Sequence, residues 1–345
     1  MAPFTSNENK TQTLQSSQSM IYKTRKEEIP PEPTTRALIA FDGQWSKTIS
    51  GADFVLCDSS GDDRIIIFAS VNFFIRICNA DIVYMDGTFT CCPKLFTQLY
   101  TLHVTVCGQM FPALYALLPD KRKETYSRFF NMISAKATQL GLQFNPPIFQ
   151  IDFENAVVSI LREIYPQSRI RGCLFHFSQA IWQNEQVHKL VRRLCAMPLL
   201  NPSHLGNAWI DVENDAPRNL LDYFVATWLD DNPPAMFPQD LWNHFDNDGP
   251  RTTNHLEGFH NALNRALKIA HPNFFVFLQL IRSWQNSEEQ NLNALMNGAK
   301  PKRQRKKYTD IHMQLMNLRS AYVNGDIEAL DFLTRCGFQM HLSDA

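Results

Sequence analysis

The chain has no C-x-x-C pair, no long uninterrupted apolar run and almost no net charge. Each absence removes a class of function. Eight cysteines are scattered through 345 residues, so no paired-thiol metal or redox motif can be read from their spacing. With no secretory leader at the N-terminus, they are expected to be reduced thiols of the cytosol or nucleus. No stretch is long and apolar enough to cross a bilayer, so no membrane partner is expected. Lys and Arg total 33 against 34 Asp and Glu, a formal charge of -1. Any nucleic-acid-binding surface therefore has to be a local patch.

What is present is enough apolar material for a sizeable core: 44% of residues are hydrophobic. Residues 1–36 are rich in Ser, Thr, Gln, Asn, Lys and Pro and read as a disordered tail, closed by the stiff Ile29-Pro30-Pro31-Glu32-Pro33 piece. Residues 37–80 read as an α/β lead-in. Phe54–Cys57 and Arg64–Phe68 are expected strands joined by a turn at Asp58–Asp62, and Val71–Cys78 is expected to be a short helix beneath the strand that follows.

That strand is Ile82-Val83-Tyr84-Met85-Asp86-Gly87-Thr88-Phe89, an apolar run carrying one carboxylate. Alternation puts Tyr84, Asp86 and Thr88 on one face and Val83, Met85 and Gly87 on the other. A lone buried carboxylate is costly unless paired, hydrogen-bonded or bound to a cation. The plainer alternative is a strand-end Asp capping a turn with Gly87. Leu95–Val106 and Met110–Leu118 should follow as antiparallel strands around a tight Cys107-Gly108-Gln109 turn, with Leu99, Thr101, His103 and Thr105 on one face. Lys123–Leu140 should be a helix ended by Gly141. Pro147–Asp152 reads as a strand ending on an acid, Glu154–Tyr165 as a helix, and Arg169–Phe175 as a strand running into Cys173 and His176. The order β-β-β-α-β-α-β over residues 81–176 is that of an RNase H-like mixed sheet. Residues 177–250 read as a helical insertion with Trp182, Trp209, Trp228 and Trp242 in its core.

Residues 251–296 complete the core with an amphipathic helix opening at Asn254-His255-Leu256-Glu257. Leu256, Phe259, Leu263 and Leu267 make its apolar face; Glu257, His260, Asn261 and Asn264 share a polar one. Asn254 and Glu257 also have capping-box spacing, a purely structural alternative for Glu257. Three lone acids, on a strand, a strand end and a helix start, suit phosphodiester chemistry, which needs carboxylates to hold divalent cations against the attacking and leaving oxygens.

The segments Tyr84–Phe89, Gln150–Ala156, Cys173–His176 and Thr253–Glu257, in this order, resemble the transposase domain of Mutator-like elements (the MULE family), over roughly Ala37 to Trp284. The resemblance implies a DDE-type transposase that cuts and joins DNA at transposon ends and target with Mg2+ (or Mn2+). Asp86, Asp152 and Glu257 would be its catalytic, metal-binding triad, and Cys173 and His176 its C-x-x-H motif. That pair lacks two further ligands for zinc; a packed Cys and a hydrogen-bonded His are the plainer alternative. Relatives often carry an N-terminal zinc-binding recognition module, yet residues 1–36 contain no Cys or His. This leaves open a fragment, a decayed copy or a domesticated, catalytically silent DNA-binding or chromatin regulator.

Residues 297–345 read as a basic linker and a helical end. Lys302, Arg303, Arg305, Lys306 and Lys307 would serve nuclear import or DNA-backbone contact, or form a solvated loop. Nuclear localisation and self-association of the chain are further expectations. Glu154 is read as a helix cap, and His103 as a satisfied sheet residue rather than one facing Asp86.

Overall fold

The computed structural model describes residues 29–182, 188–214, 216–229, 234–301 and 306–340. Its centre is a mixed sheet of β1 (Val55–Asp58), β2 (Ile66–Phe68), β3 (Ile82–Thr88), β4 (Gln98–Val106), β5 (Gln109–Leu118), β6 (Ile148–Ile151) and β7 (Arg169–Gly172). The strand order is β1-β2-β5-β4-β3-β6-β7. β3, β4 and β5 are antiparallel neighbours, whereas β6 and β7 run parallel to β3. The lead-in strands β1 and β2 belong to this same sheet, beside β5.

Local chemistry accounts for several of these features. β4 and β5 are joined by only Cys107 and Gly108, both at positive φ. Two left-handed residues are what a tight hairpin turn requires. Pro112 lies within β5 where the register slips opposite Leu102 and His103; an irregularity is where a strand tolerates a residue with no N–H to give.

Both faces of the sheet are covered. On one, α1 (Val71–Cys78), α2 (Lys123–Gln139) and α3 (Asn155–Ile164) bury Phe73, Tyr126, Phe129, Phe130, Val157 and Leu161 against Val83, Met85 and Leu102. α1 packs on β4 and β5 rather than beneath β3, with Phe73 against Phe111 at 6.0 Å. Gly141 stands just past α2 at positive φ, as a terminating glycine should.

The strand expected to run to Phe175 stops at Gly172, and α4 (Leu174–Trp182) begins at once. Phe153 presses its ring on Gly172, where a Cβ would come within 2.3 Å of it. Beyond α4 the chain is helical: α5 (His188–Ala196), α6 (Leu205–Glu213), α7 (Arg218–Phe224) and α8 (Gln239–Trp242), with shorter turns between them. Trp228 and Trp242 are buried and Trp209 stacks on Phe224; the Trp182 side chain lies outside the described residues. His244, just beyond α8, bonds through Nε2 to the Gly172 carbonyl at 2.8 Å.

α9 (Asn254–Leu267) and α10 (Phe274–Met296) cover the opposite sheet face, burying Leu263, Phe274, Phe277 and Ile281 against Ile66, Phe68, Leu99 and Leu117. Ile29 packs against this cluster, and Arg36 donates to the Leu95 carbonyl at 2.9 Å. Residues 29–36 are thus held on the body rather than being part of a loose tail; the rest of that predicted segment lies outside the described residues. α11 (Lys306–Val323) and α12 (Ala329–Gln339) complete the chain, α12 lying on α5.

The α5–α12 contact is close: a Cβ on Gly337 would sit 2.5 Å from the Arg192 carbonyl oxygen. Backbone cannot yield as a side-chain tip can. Gly337→Ala should therefore cost about 1–2 kcal/mol, the overpacking loss exceeding the gain in helix propensity. Urea denaturation reads this directly, and an unchanged or raised midpoint would show that the two helices are not seated this closely.

Candidate active site

β3 and β6 pair in parallel with Tyr84 opposite Gln150. Two residues further along this register, Asp86 comes opposite Asp152, the first residue beyond β6. Adjacent strands lie about 4.8 Å apart, and the even step puts both carboxylates on the same face. Each of the two acids has few polar contacts. Asp86 is buried; its Oδ1 accepts the Gly87 N–H at 2.8 Å, and its Oδ2 lies 3.5 Å from His260 Nδ1. Asp152 Oδ1 accepts the Glu154 N–H at 3.3 Å.

Glu257 reaches the same neighbourhood from α9. The helix starts at Asn254 with Thr253 as its N-cap residue, so the expected Asn254–Glu257 capping box is out of frame. The Glu257 side chain instead meets His176, with Oε1 and Nε2 3.3 Å apart. His176 sits in the first turn of α4, and Cys173 at the junction with β7 is buried, accepting the Thr253 N–H on its sulfur at 3.2 Å. The C-x-x-H pair thus joins the end of β7 to the start of α9. Cys173 packs and orients; His176 faces the carboxylates.

The electrostatics show crowding of like charge. Burial, then Asp86 and Glu154, push the Asp152 carboxyl up to about 6, against the pull of His176 and the Glu154 N–H. Burial also raises Glu257; His176 pulls it back and Asp86 adds to the rise. Burial would lower His176, but the Cys173 sulfur and the carboxylates of Asp86 and Asp152 outweigh it and hold the imidazole at about 9. Protonation is the means by which the metal-free protein relieves its own repulsion.

Several participants were not assigned from sequence. Glu154 precedes α3, but its side chain makes no cap bond. It accepts from the Tyr126 hydroxyl at 3.0 Å and lies 3.7 Å from Lys121 Nζ. His103, read as a satisfied sheet residue, bonds to Thr101 at 3.2 Å, and Thr101 bonds to His260 at 2.9 Å. His260 was legible as a polar-face neighbour of Glu257, three residues on; its burial was not.

A cleft of about 450 Å³ opens beside Asp152, bounded by Lys121, Glu154 and His176 on one side and Tyr223, Trp228 and Phe237 on the other. Of the basic run, Lys302, Arg303 and Arg305 lie outside the described residues, as does the Lys307 side chain; Lys306 is exposed.

Hard carboxylate oxygens from three elements, repelling one another and with no Lys or Arg paired to Asp86 among the described residues, are a donor set suited to Mg2+ or Mn2+ rather than zinc. Among the described residues, no three His, Cys, Asp or Glu side chains form a ready-made metal cage, so an ion would have to draw the carboxylates together.

The protonation balance gives a stability prediction. Asp152 binds its proton more tightly in the folded protein than in the unfolded chain. Its contribution is therefore fully present below about pH 4 and is lost as pH rises through about 6. In metal-free buffer this should amount to the order of 1–2 kcal/mol. Asp152→Asn should flatten the pH dependence of urea unfolding between pH 4 and 6; an unaltered slope would mean that Asp152 does not carry it.

Residues 82–180 match the family model described as the MULE transposase domain. The match takes in Asp86, Asp152, Cys173 and His176 and ends before Glu257, within the wider span over which the sequence motifs bear the same resemblance. A search of the curated proteins finds no match to the chain.

Proposed function

From a chain that carries a MULE transposase domain over residues 82–180, and hence a transposase-related function, we propose a DDE-type catalytic domain that cuts and joins DNA. The observation that carries this reading is the parallel β3–β6 register, which sets Asp86 beside Asp152 with Glu257 held over them from α9. The sheet order supports an RNase H-like core: antiparallel β5-β4-β3, then parallel β6 and β7.

In this reading Asp86, Asp152 and Glu257 hold Mg2+, which would supply charge stabilisation for the attacking and leaving oxygens of a phosphodiester. The protein's own part is to orient and insulate. The Gly87 N–H and His260 hold Asp86 from two sides. The Glu154 N–H fixes Asp152. His176 holds Glu257 at 3.3 Å and would keep its carboxylate oriented toward the other two acids. Lys121, over the Phe89 ring at 4.4 Å, stands at the edge of the site as a phosphate contact.

DNA is the partner such a domain acts on. The basic run from Lys302 to Lys307 would add backbone contact or nuclear import, and self-association would bring two element ends together. The competing reading is a catalytically silent DNA-binding or chromatin regulator. It is favoured by one observation, the pairing of Glu257 with His176.

A Mg2+-dependent nicking and strand-transfer assay on candidate terminal inverted repeats separates the two. The wild-type protein should cleave, and Asp152→Asn and Glu257→Gln should each lower the rate by at least about 10³-fold with the fold retained, as expected when a required charge stabiliser is lost. Retained activity in Glu257→Gln would remove Glu257 from the triad. DNA binding with no cleavage by the wild type would favour the regulator.

A further inference from the structure

Beneath Asp86 the contact with His260 continues into a longer chain of polar contacts. His103 Nε2 lies 3.2 Å from Thr101 Oγ1, Thr101 Oγ1 lies 2.9 Å from His260 Nε2, and His260 Nδ1 lies 3.5 Å from Asp86 Oδ2. All four residues are buried, at 0–6% exposure. Thr101 and His103 come from β4, directly alongside β3, and Asp86 and Thr101 are cross-strand partners. His260 descends from α9. Polar side chains in such a place are retained at a cost unless each finds its partner.

Proton counting fixes the direction of the chain. A carboxylate oxygen accepts, so with His260 Nδ1 facing Asp86 Oδ2 at 3.5 Å the ring proton is placed on Nδ1 and Nε2 is left to accept. The Thr101 hydroxyl has one proton and three possible acceptors within reach: the Asp86 carbonyl at 3.4 Å, His103 Nε2 at 3.2 Å and His260 Nε2 at 2.9 Å. The shortest bond takes it. That leaves a lone pair on Thr101 Oγ1 for the Nε2–H of His103. Burial, then the neighbouring His260 and His255, push His103 well below the ordinary imidazole range, consistent with a neutral ring that has one N–H to give.

We infer that His103, Thr101 and His260 form a one-way hydrogen-bond relay that positions Asp86 for a divalent cation. The inference rests on the reading of Asp86 as a metal-binding carboxylate. None of the three residues touches the ion or the DNA in this scheme; they are positioning residues. His260 turns the Asp86 carboxylate, Thr101 selects the tautomer of His260, and His103 selects the direction of the Thr101 hydroxyl. The relay also ties α9, and so Glu257, to the β-strand that lies next to Asp86. It is a hydrogen-bonded outer shell of the kind that sets ligand orientation at metal sites.

The test is Mn2+ binding by the full chain, measured by electron paramagnetic resonance, for the wild type, Thr101→Val and Thr101→Ser. Val keeps the shape but removes the hydroxyl; Ser keeps the hydroxyl. The expected result is a loss of about 10–100-fold in Mn2+ affinity for Thr101→Val, with Thr101→Ser restoring it. Equal affinity in the wild type and Thr101→Val overturns the relay while leaving the metal reading intact. A Ser variant as weak as the Val variant also overturns it, since packing alone would then explain the loss. A wild type that binds no Mn2+ removes the metal reading, and the relay with it. Should Thr101→Val fail to fold, the nitrogen-15 spectrum of wild-type, metal-free protein decides: an Nδ1–H tautomer at His260 supports the relay, and an Nε2–H tautomer overturns it.

Discussion

The parallel pairing of β3 with β6 is the constraint from which the rest of the candidate site follows. Parallel strands place equivalent residues side by side, so two acids at matching positions are brought together by the backbone whatever their charges prefer. Asp86 and Asp152 are held in this way, and the strands cannot slip to relieve them. A one-residue shift would turn Val83 and Met85 out of the core. Hydrophobic burial on one face of β3 therefore enforces electrostatic repulsion on the other.

The surroundings answer that repulsion with dipoles and imidazoles rather than with Lys or Arg paired to Asp86. Backbone N–H groups reach Asp86 and Asp152, and histidines reach Asp86 and Glu257. Such partners orient a carboxylate without permanently cancelling its charge, so the site stays attractive to a cation. Buried salt bridges to Arg would have stabilised the protein more simply and left the carboxylates occupied. The ammonium of Lys121 lies against Glu154 and the Phe89 ring, at the edge of the cluster.

Much of this was legible in the sequence because it depends on short-range periodicity. The alternation of Leu99, Thr101 and His103 and the compact Cys107-Gly108 turn define the β4–β5 hairpin locally. The strands bearing Asp86 and preceding Asp152 are equally plain. The apolar run Cys173-Leu174-Phe175 suits a strand or a helix equally well, and what decides is the Phe153 ring against Gly172, a contact no local pattern reveals. The spacing of Asn254 and Glu257 is that of a capping box, yet the helix takes Thr253 as its cap residue and puts the motif out of frame. Glu154 and His260 show the same limit. Each has the right local position for a surface role, and each is turned inward by the packing of a distant element. The place of β1 and β2 at one end of the sheet depends on strand order, which periodicity does not encode.

The bond from His244 to the Gly172 carbonyl has a further consequence. Cys173 donates its N–H inward to β6, so the carbonyl of Gly172, on the same peptide unit, points away from β6 toward the outer side of β7. An open strand edge is a template on which another extended chain can add itself. Here a buried imidazole takes the acceptor nearest the site, while Arg171 is engaged by Asn247 at 3.2 Å. The Nε2–H is present in the neutral and the protonated ring alike, so this closure does not open under mildly acidic conditions. The end of β7 is thereby denied to strand addition, and a partner must approach the carboxylates across the strand ends or through the cleft.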